Sequence, residues 1–487
     1  MKKSALPFFC ILTAFVFFAC VTVAPEIIDK TDENAVITEQ NITPSISANI
    51  SESQNNMPSS TVNYGGREFT IAMYNDKLFL PQADSSPISN KLLERNTAVE
   101  QAYNIKIKAL DGLDQSNFIS EINTRYNAGL FCGDLLVIHN YMLPLFVAEK
   151  QLMSVKALPF VNLEADYFDT AAINAATVGN FVHAAYGDLT YLPDKSTCVF
   201  FNKDFVDSHN LLSPYEMEEM NTWTWDNLNV LAKAAIQDVN NNRIADFDDI
   251  YGLCSSYSRL EMVDIMWASC GEPFFENNPP YSPKMIFNNE KTQNIIDKIR
   301  RLLYNEVDKI YIHSAQGLSG YELFLQGRSL FCIDTLDKAS ELSAAGINFG
   351  IMPLPKLNKK SEYRSYMDSS AYAVCVLNNI PDSDFTGTIL QKIAEESSFN
   401  NADYYKKYYI TNFLTDNSSA LMLDKIFKNP YYDLATSLGD CYPEIAAASD
   451  EIILSHLSTG ISFDTLYTQN VETFDNFVKT SFTYKGE

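Results

Sequence analysis

The first folded part of the chain alternates strand-like and helix-like apolar patterns. Residues 68–74 predict a short strand, and a helix capped by Asn90 follows with its apolar side chains on one face. Ile105 and Ile107 alternate in a second strand, and after another helix the apolar run 134–138 predicts a third, fully buried strand. Strands separated by helices in this way predict a mainly parallel sheet covered on both faces.

A second alternation of the same kind follows later in the chain. Residues 197–205 form an apolar block that ends in Asn-Lys-Asp, and residues 323–331 and 349–356 give further short strands. The chain has 487 residues, of which 46% are hydrophobic. That length exceeds one ordinary domain, so we expect an α/β protein with two lobes.

The stretch from Asn221 to Leu253 is the most structured local pattern. Thr224 is placed to cap a helix, with Asp226 in the first turn. Apolar side chains then recur at helical spacing and predict one buried face. Trp223 and Trp225 lie at the start of this helix, and we interpret both as core residues.

A loop rich in oxygen-bearing side chains follows that helix. Positions one, three, five, nine and twelve of a twelve-residue loop are Asp238, Asn240, Asn242, Asp246 and Asp249. These are positions from which calcium takes ligands, and the carbonyl of Ile244 would supply position seven. Arg243 departs from the pattern, because that position usually needs glycine. The alternative is a polar turn whose side chains bind their own backbone.

The charge of the chain excludes one class of partner. The formal net charge is −25, and the sequence pI is about 4.6. Such a surface repels phosphate backbones, so we expect no nucleic-acid partner.

The N-terminus has the pattern of an export signal. Lys2 and Lys3 precede an apolar run that is too short to span a bilayer comfortably. The run ends at Ala19-Cys20, which resembles a lipoprotein signal and predicts residues 1–20 as a signal peptide with lipidation at Cys20. The alternative is an ordinary secretory peptide. Residues 21–62 lack periodicity and predict a disordered tether.

The remaining cysteines and the histidines carry no catalytic or metal-binding pattern. Beyond Cys10 and Cys20 there are seven cysteines without a close CxxC pair, which predicts buried thiols rather than disulfides or a zinc site. The five histidines form no metal-binding spacing, and no nucleophile elbow or phosphate-binding loop is present in the sequence.

Six short motifs occur in one order along the chain. They are Phe200 to Asp204, Thr222 to Asp226, the Asp/Asn loop, Tyr251 to Leu253, Phe287 to Glu290 and Phe349 to Lys356. Together, behind an apparent lipoprotein signal, they resemble family 1 of the extracellular solute-binding proteins that serve sugar-type ABC importers. The resemblance covers nearly everything after about Tyr64.

The resemblance implies a two-lobed fold of the periplasmic-binding-protein type II kind, with crossing strands as hinges. We expect the crossings near residues 186–197, 348–353 and 408–414. Lobe 1 would then comprise residues 63–185 and 350–409. Lobe 2 would comprise residues 186–349 and 410–487. Ligands of such sheets lie beyond the carboxyl ends of the strands, and the lobes close on them.

Candidate ligand-binding residues follow from chemistry and placement in the cleft. A sugar needs aromatic faces for its rings and paired polar groups for its hydroxyls. The candidates are Tyr74, Asp76, Asp188, Trp267, Tyr366 and Asp368.

The resemblance implies a lipid-anchored receptor on the extracellular face of the membrane. It would deliver a carbohydrate, expected to be an oligosaccharide, to ABC permease subunits, without catalysis and without a cofactor other than structural calcium. Two alternatives stay open at this point: a ligand-sensing subunit for a membrane kinase, and a secreted glycoside hydrolase using two carboxylates.

Overall fold

The computed structural model describes residues 62–481, with gaps at 75–77, 82–86, 192, 243–245, 247, 278–281, 306–309 and 316. The predicted signal peptide with Cys20, nearly all of the predicted tether, and Asp76 lie outside the described residues. Within the described part of the chain, no helix is both long enough and apolar enough to cross a membrane.

Fifteen strands are described. In chain order they are β1 (Arg67–Met73), β2 (Ile105–Ala109), β3 (Leu135–His139), β4 (Thr177–Val178), β5 (Phe181–Val182), β6 (Thr197–Asn202), β7 (Tyr251–Ser255), β8 (Phe275–Glu276), β9 (Lys284–Met285), β10 (Tyr311–Ile312), β11 (Ser314–Ala315), β12 (Leu318–Ser319), β13 (Ser329–Thr335), β14 (Phe349–Met352) and β15 (Tyr372–Cys375).

Eighteen α-helices are described, and a π-helical turn (Ala447–Glu451) joins the sixteenth to the seventeenth. The α-helices are α1 (Pro87–Tyr103), α2 (Phe118–Asn127), α3 (Leu143–Ala148), α4 (Thr170–Ala175), α5 (Lys203–Ser208), α6 (Pro214–Glu219), α7 (Trp225–Ala235), α8 (Arg259–Cys270), α9 (Glu290–Leu303), α10 (Gly320–Leu325), α11 (Lys338–Ala344), α12 (Ser383–Glu396), α13 (Ala402–Asn412), α14 (Asn417–Ile426), α15 (Leu434–Leu438), α16 (Pro443–Ala446), α17 (Ile452–Thr459) and α18 (Phe463–Ser481).

The first lobe is built on a four-stranded sheet with the order β15-β3-β1-β2. Strand β1 pairs in parallel with β2 and β3, as the sequence predicts, while β15 joins the edge antiparallel to β3. Helices α1 and α12 pack against each other, and Phe385 of α12 contacts the ring of Phe69 in β1. The carboxyl ends of β1 and β3 therefore lie at one edge of this sheet.

The second lobe is built on a five-stranded sheet with the order β10-β7-β13-β6-β14. Strands β10, β7 and β13 are parallel neighbours, but β6 runs antiparallel to both β13 and β14. Helix α7 packs on β7 and α14 packs on β14. The α/β, two-lobed class is confirmed, with mixed rather than purely parallel sheets.

The chain passes between the lobes at places that differ in part from the predicted ones. One passage runs from Ala185, bridged to Val374 in the first sheet, to Ser196, bridged to Met367. The second passage returns along 367–372. A third separates α12, which packs on α1, from α13, whose buried tyrosines belong to the core of the second lobe.

The predicted extent of lobe 1, residues 350–409, is therefore wrong at both ends. Phe349–Met352 is strand β14 and pairs with β6 in the second sheet, so it is an edge strand rather than a crossing. Tyr405 and Tyr409 of α13 pack in one apolar cluster with Phe200 of β6. The sequence misled because a short strand followed by prolines has the same pattern whether it is an edge strand or a crossing.

The two tryptophans at the start of α7 are core residues, as predicted. Trp223 is fully buried and its indole N–H donates to the carbonyl of Pro353 at 2.8 Å. Trp225 donates to Ser269 Oγ at 2.7 Å. The backbones of Trp223 and Lys356 are also hydrogen-bonded. The two contacts of Trp223 fix the chain after β14, which leads towards the second passage between the lobes.

The segment around α15 and α16 contacts both lobes. It packs against α3 and α4 of the first lobe. Tyr432 donates to Asp169 Oδ2 at 2.7 Å, and the Tyr442 hydroxyl lies 3.1 Å from His183 Nε2. Helix α18 instead packs on β9 of the second lobe. This segment therefore closes one side of the space between the two lobes.

Candidate functional site

A cavity of about 440 Å³ lies between the two lobes. Its walls come from the end of β3, the turn before α4, the first two passages between the lobes, and the segment that leads into and includes α15. The lining residues are Asn140, Tyr141, Pro144, Asp166, Tyr167, Phe168, Asp169, Thr170, Ala172, Tyr186, Gly187, Asp188, Thr190, Tyr191, Tyr366, Met367, Ser369, Ala371, Tyr372, Tyr431, Tyr432, Thr436, Ser437 and Gly439.

The topology explains why the cavity lies here. Asn140 and Tyr141 follow the carboxyl end of β3, the position at which parallel sheets bind ligands. At Gly187, a Cβ atom would lie 2.2 Å from the carbonyl oxygen of Tyr167. Only glycine therefore lets the first passage approach the turn before α4 so closely.

Eight tyrosines dominate the wall. They are Tyr141, Tyr167, Tyr186, Tyr191, Tyr366, Tyr372, Tyr431 and Tyr432. Two of their hydroxyls hold polar groups of the lining in place: Tyr186 donates to Asn140 Oδ1 at 3.1 Å, and Tyr432 donates to Asp169. Tyrosine supplies an apolar ring face and a polar hydroxyl together.

One of these tyrosines, Tyr141, is largely exposed to solvent. Tyr141 is 47% exposed, and its ring stacks on His139 with 5.4 Å between the centroids. His139 also stacks on Tyr372 at 4.5 Å. Burial is the main cause that lowers the pKa of His139, so the imidazole is neutral at pH 7 and acts as a flat support for both rings.

Two carboxylates of the lining, Asp169 and Asp188, lie near enough to interact electrostatically. Asp169 caps α4 by accepting from the backbone N–H of Ala172 at 3.0 Å, and its other oxygen accepts from Tyr432. Burial, and secondarily the charge of Asp169, raise the pKa of Asp188 from 3.8 to about 6. Among the described residues, none donates a hydrogen bond to the carboxylate of Asp188, so its oxygens are available to a ligand.

The structure brings together only part of the predicted site. Asp188 and Tyr366 line the cavity. Asp368 lies just behind the wall, where it accepts from Tyr257 at 2.8 Å and from the backbone N–H of Ser370. Tyr74 packs edge-on against His139 and so supports the stack rather than lining the cavity.

The prediction for Trp267 is wrong. Its side chain is 0% exposed, stacks on Phe274 at 4.5 Å and donates to the carbonyl of Glu272 at 2.7 Å. Helix α8 buries eight of its residues, on all its faces, so an aromatic at this position packs in the core of the second lobe.

Several residues that line the cavity were not predicted from the sequence. Tyr431 and Tyr432 directly precede Asp433, which caps α15 by accepting from the N–H of Ala435. Tyr167 likewise lies two positions before Asp169, which caps α4. A tyrosine one or two positions before an aspartate that caps a helix is the pattern that these segments share, and it was a detectable signal.

The Asp/Asn loop lies apart from the cavity and closes on itself. The amides of Asn240 and Asn242 donate to the carboxylate of Asp246, at 3.1 and 2.6 Å respectively. Asp238 accepts from the backbone N–H of Asn242, and Asp249 from that of Val239. The five predicted calcium ligands do lie together. Their observed bonds fit the polar-turn alternative, since both amides direct N–H groups, not oxygens, towards Asp246. The described residues also contain no cluster of three or more His, Cys, Asp or Glu side chains suited to a metal.

Comparison with known proteins yields matches in structure alone. No protein-family model matches the sequence, and no curated protein matches it significantly. A cyclo/maltodextrin-binding protein complexed with maltotetraose is 14% identical, covers 87% of this chain and 99% of its own, and has a TM-score of 0.52. UspC of M. tuberculosis is 13% identical, with coverage of 84% and 99% and a TM-score of 0.50.

A third solved structure matches to the same degree. The GacH receptor of Streptomyces glaucescens, solved unliganded and with acarbose, is 10% identical and covers 85% of this chain and 99% of its own, with a TM-score of 0.50. At such identities the likeness establishes the fold alone. This chain therefore has the two-lobed fold of these binding proteins, which is the fold that the sequence resemblance implies.

The raised pKa of Asp188 predicts a specific pH dependence of stability. An aspartate in the unfolded chain titrates near 3.9, whereas Asp188 in the folded state titrates at about 6. Ionised Asp188 therefore disfavours the folded state above pH 6, and this penalty is absent below about pH 4. Asp188→Asn removes the penalty. We expect its melting temperature to exceed that of the parent by about 1–3 °C at pH 8, allowing for solvent screening.

Differential scanning calorimetry between pH 4 and 8 measures this difference. The increase in melting temperature should shrink towards zero as the pH falls from about 6 to about 4. Asp166→Asn is the matched control, because Asp166 lines the same cavity but is exposed, and it should show no such trend. A difference between Asp188→Asn and the parent that stays constant with pH would contradict the account.

Proposed function

We propose that the protein is an extracellular solute-binding protein of the sugar-type ABC importers, family 1, and that it binds an oligosaccharide in the cavity between its lobes. The observation that carries the proposal is this 440 Å³ cavity, to which both lobes and both strand passages contribute residues. A ligand there touches every part that must move for the lobes to open or close. The fold shared with the maltodextrin-binding protein supports the same role.

The chemistry of the wall suits a carbohydrate. Sugars present apolar ring faces and a belt of hydroxyls, which need aromatic rings and hydrogen-bonding groups respectively. The wall supplies eight tyrosines together with Asp188, Asn140 and several hydroxyl side chains. Its volume lies within the range of about 300–1,000 Å³ that small-molecule sites occupy.

Delivery to a permease follows from hinge motion. The strand passages are the hinges, and Tyr432 reaches from the second lobe to Asp169 of the first. Ligand in the cavity adds contacts to both lobes and favours the closed state. Lipidation at Cys20 would hold the protein on the outer face of the membrane, beside the permease subunits.

Binding rather than hydrolysis is supported by the state of the paired carboxylates. Glycoside hydrolysis needs one carboxylate as acid and a second as base or nucleophile. Asp169 is already engaged on both oxygens, by the N–H of Ala172 and by Tyr432. A carboxylate so occupied serves to position the wall and is poorly placed to attack a sugar.

A calcium ion in the loop of Asp238 to Asp249 is a separate proposal. Five side-chain oxygen donors lie together there, and calcium would displace the bonds from Asn240 and Asn242 to Asp246. If the loop binds the ion, calorimetric titration gives a saturable signal and calcium raises the melting temperature. A flat titration and an unchanged melting temperature would leave the loop as a polar turn.

Saccharide binding is tested by a thermal-shift screen of residues 63–487 against mono- and oligosaccharides. A ligand that binds only the folded state stabilises it by about 2.7 kcal/mol at a hundredfold excess over Kd. Tyr432→Ala should weaken binding of the active saccharide at least tenfold, since it removes a ring of the wall and the bond to Asp169. Isothermal titration calorimetry measures this change.

Tyr304→Ala is the matched control, because Tyr304 is partly buried on the second lobe and does not line the cavity. It should leave the affinity unchanged. Failure of every saccharide to shift the melting temperature would overturn the proposal, as would equal affinity of the parent and Tyr432→Ala.

A further inference from the structure

The wall of the cavity carries negative charge that the described residues do not balance. Three aspartates line it: Asp166, Asp169 and Asp188. Among the described residues that line the cavity there is no lysine, arginine or histidine. The partners of Asp169 are a backbone N–H and a tyrosine hydroxyl, both neutral. A ligand that enters the cavity therefore meets the pair of Asp169 and Asp188 with no opposite charge in the described lining.

Three tyrosines of the same lining lie near that pair, and one of them, Tyr432, is hydrogen-bonded to Asp169. Burial, and secondarily the charges of Asp188 and Asp169, raise the pKa of Tyr191. Asp169 acts in the same way on Tyr432, and Tyr432 also interacts with Tyr186. The two carboxylates and the three rings are therefore neighbours. Carboxylates together with the faces of aromatic rings form the environment in which proteins bind ammonium groups.

We propose that the ligand is a saccharide that carries a protonated amino group, which lies between Asp188 and Asp169 and against the rings of Tyr191 and Tyr432. The inference rests on the proposed function, since it names the class of saccharide that the same cavity takes. The cavity is the site, and the paired carboxylates with their rings decide which member of the ligand class it prefers.

The reason for this preference is desolvation. Closure of the lobes on a neutral sugar strips water from both carboxylates and supplies no opposite charge, which is costly. An ammonium group offsets both charges and gains cation–π attraction from the rings. A sugar with a carboxylate or sulfate would add a third negative charge, so acidic saccharides are excluded.

The test compares ligands that differ only at the amine. Fully deacetylated chito-oligosaccharides, their N-acetylated counterparts and cello-oligosaccharides of equal length are titrated calorimetrically into the parent protein, with spermidine as an amine that is not a sugar. We expect the deacetylated ligand to bind at least tenfold more tightly than either neutral one. Added salt should weaken its binding more than theirs.

Two variants locate the effect. Asp188→Asn should reduce the preference for the amine over the neutral ligands to less than threefold, because it removes one of the two charges beside the amine. It should fold normally, because the side chain of Asp188 has no hydrogen-bond donor among the described residues. Asp166→Asn is the control at the exposed carboxylate of the same cavity, and it should keep the preference.

The outcomes distinguish failure of the proposed amine preference from failure of the proposed receptor function. Equal or tighter binding of the neutral saccharides overturns the inference and leaves the receptor proposal standing. If spermidine binds and none of the saccharides does, the saccharide assignment is overturned and the protein is a receptor for amines. Absence of binding by all four probes overturns the inference, and a preference that survives Asp188→Asn does the same.

Discussion

The site depends on the hydrogen bonds that hold the two strand passages side by side. The backbone N–H of Ala185 donates to Val374 at 2.8 Å within the first lobe, and that of Thr197 donates to Tyr366 at 2.8 Å within the second. Between these two hydrogen bonds, the backbone N–H of Asp368 donates to the carbonyl of Lys195 at 2.9 Å. Because the passages are paired at both ends, the residues between them must lie at the boundary of the lobes, and the cavity forms there.

The sequence predicts the fold better than the site because the two rest on interactions of different range. The alternation of apolar patterns predicts β1 to β3 and their parallel pairing, since each pattern is local. Asp188 was found because it adjoins a predicted passage. Tyr167 and Tyr432 come from segments far apart in the chain, and no local pattern brings them together. Trp267 misled because a buried helix and a cleft-facing helix can share one sequence pattern.

The segment that leads into α15 has a double role. Asp433 accepts from the backbone N–H of Phe274 at 3.1 Å, which fixes the segment to the second lobe, while the adjacent Tyr432 reaches the first. Burial raises the pKa of Asp433 to about 7, and three backbone donors nonetheless hold it in place. The segment is thus held firmly on the second lobe while Tyr432 contacts the first. This arrangement suits a receptor in which a bound ligand adds further contacts between the lobes.

Hydrogen–deuterium exchange, with and without the saccharide that stabilises the protein most, tests the central claim most directly. The account predicts slower exchange on binding in segments 166–170, 186–191, 366–372 and 431–439, which form the cavity wall. Protection confined to a different surface, such as the smaller pocket between 443–451 and 470–474, with no change in those four segments, would contradict it.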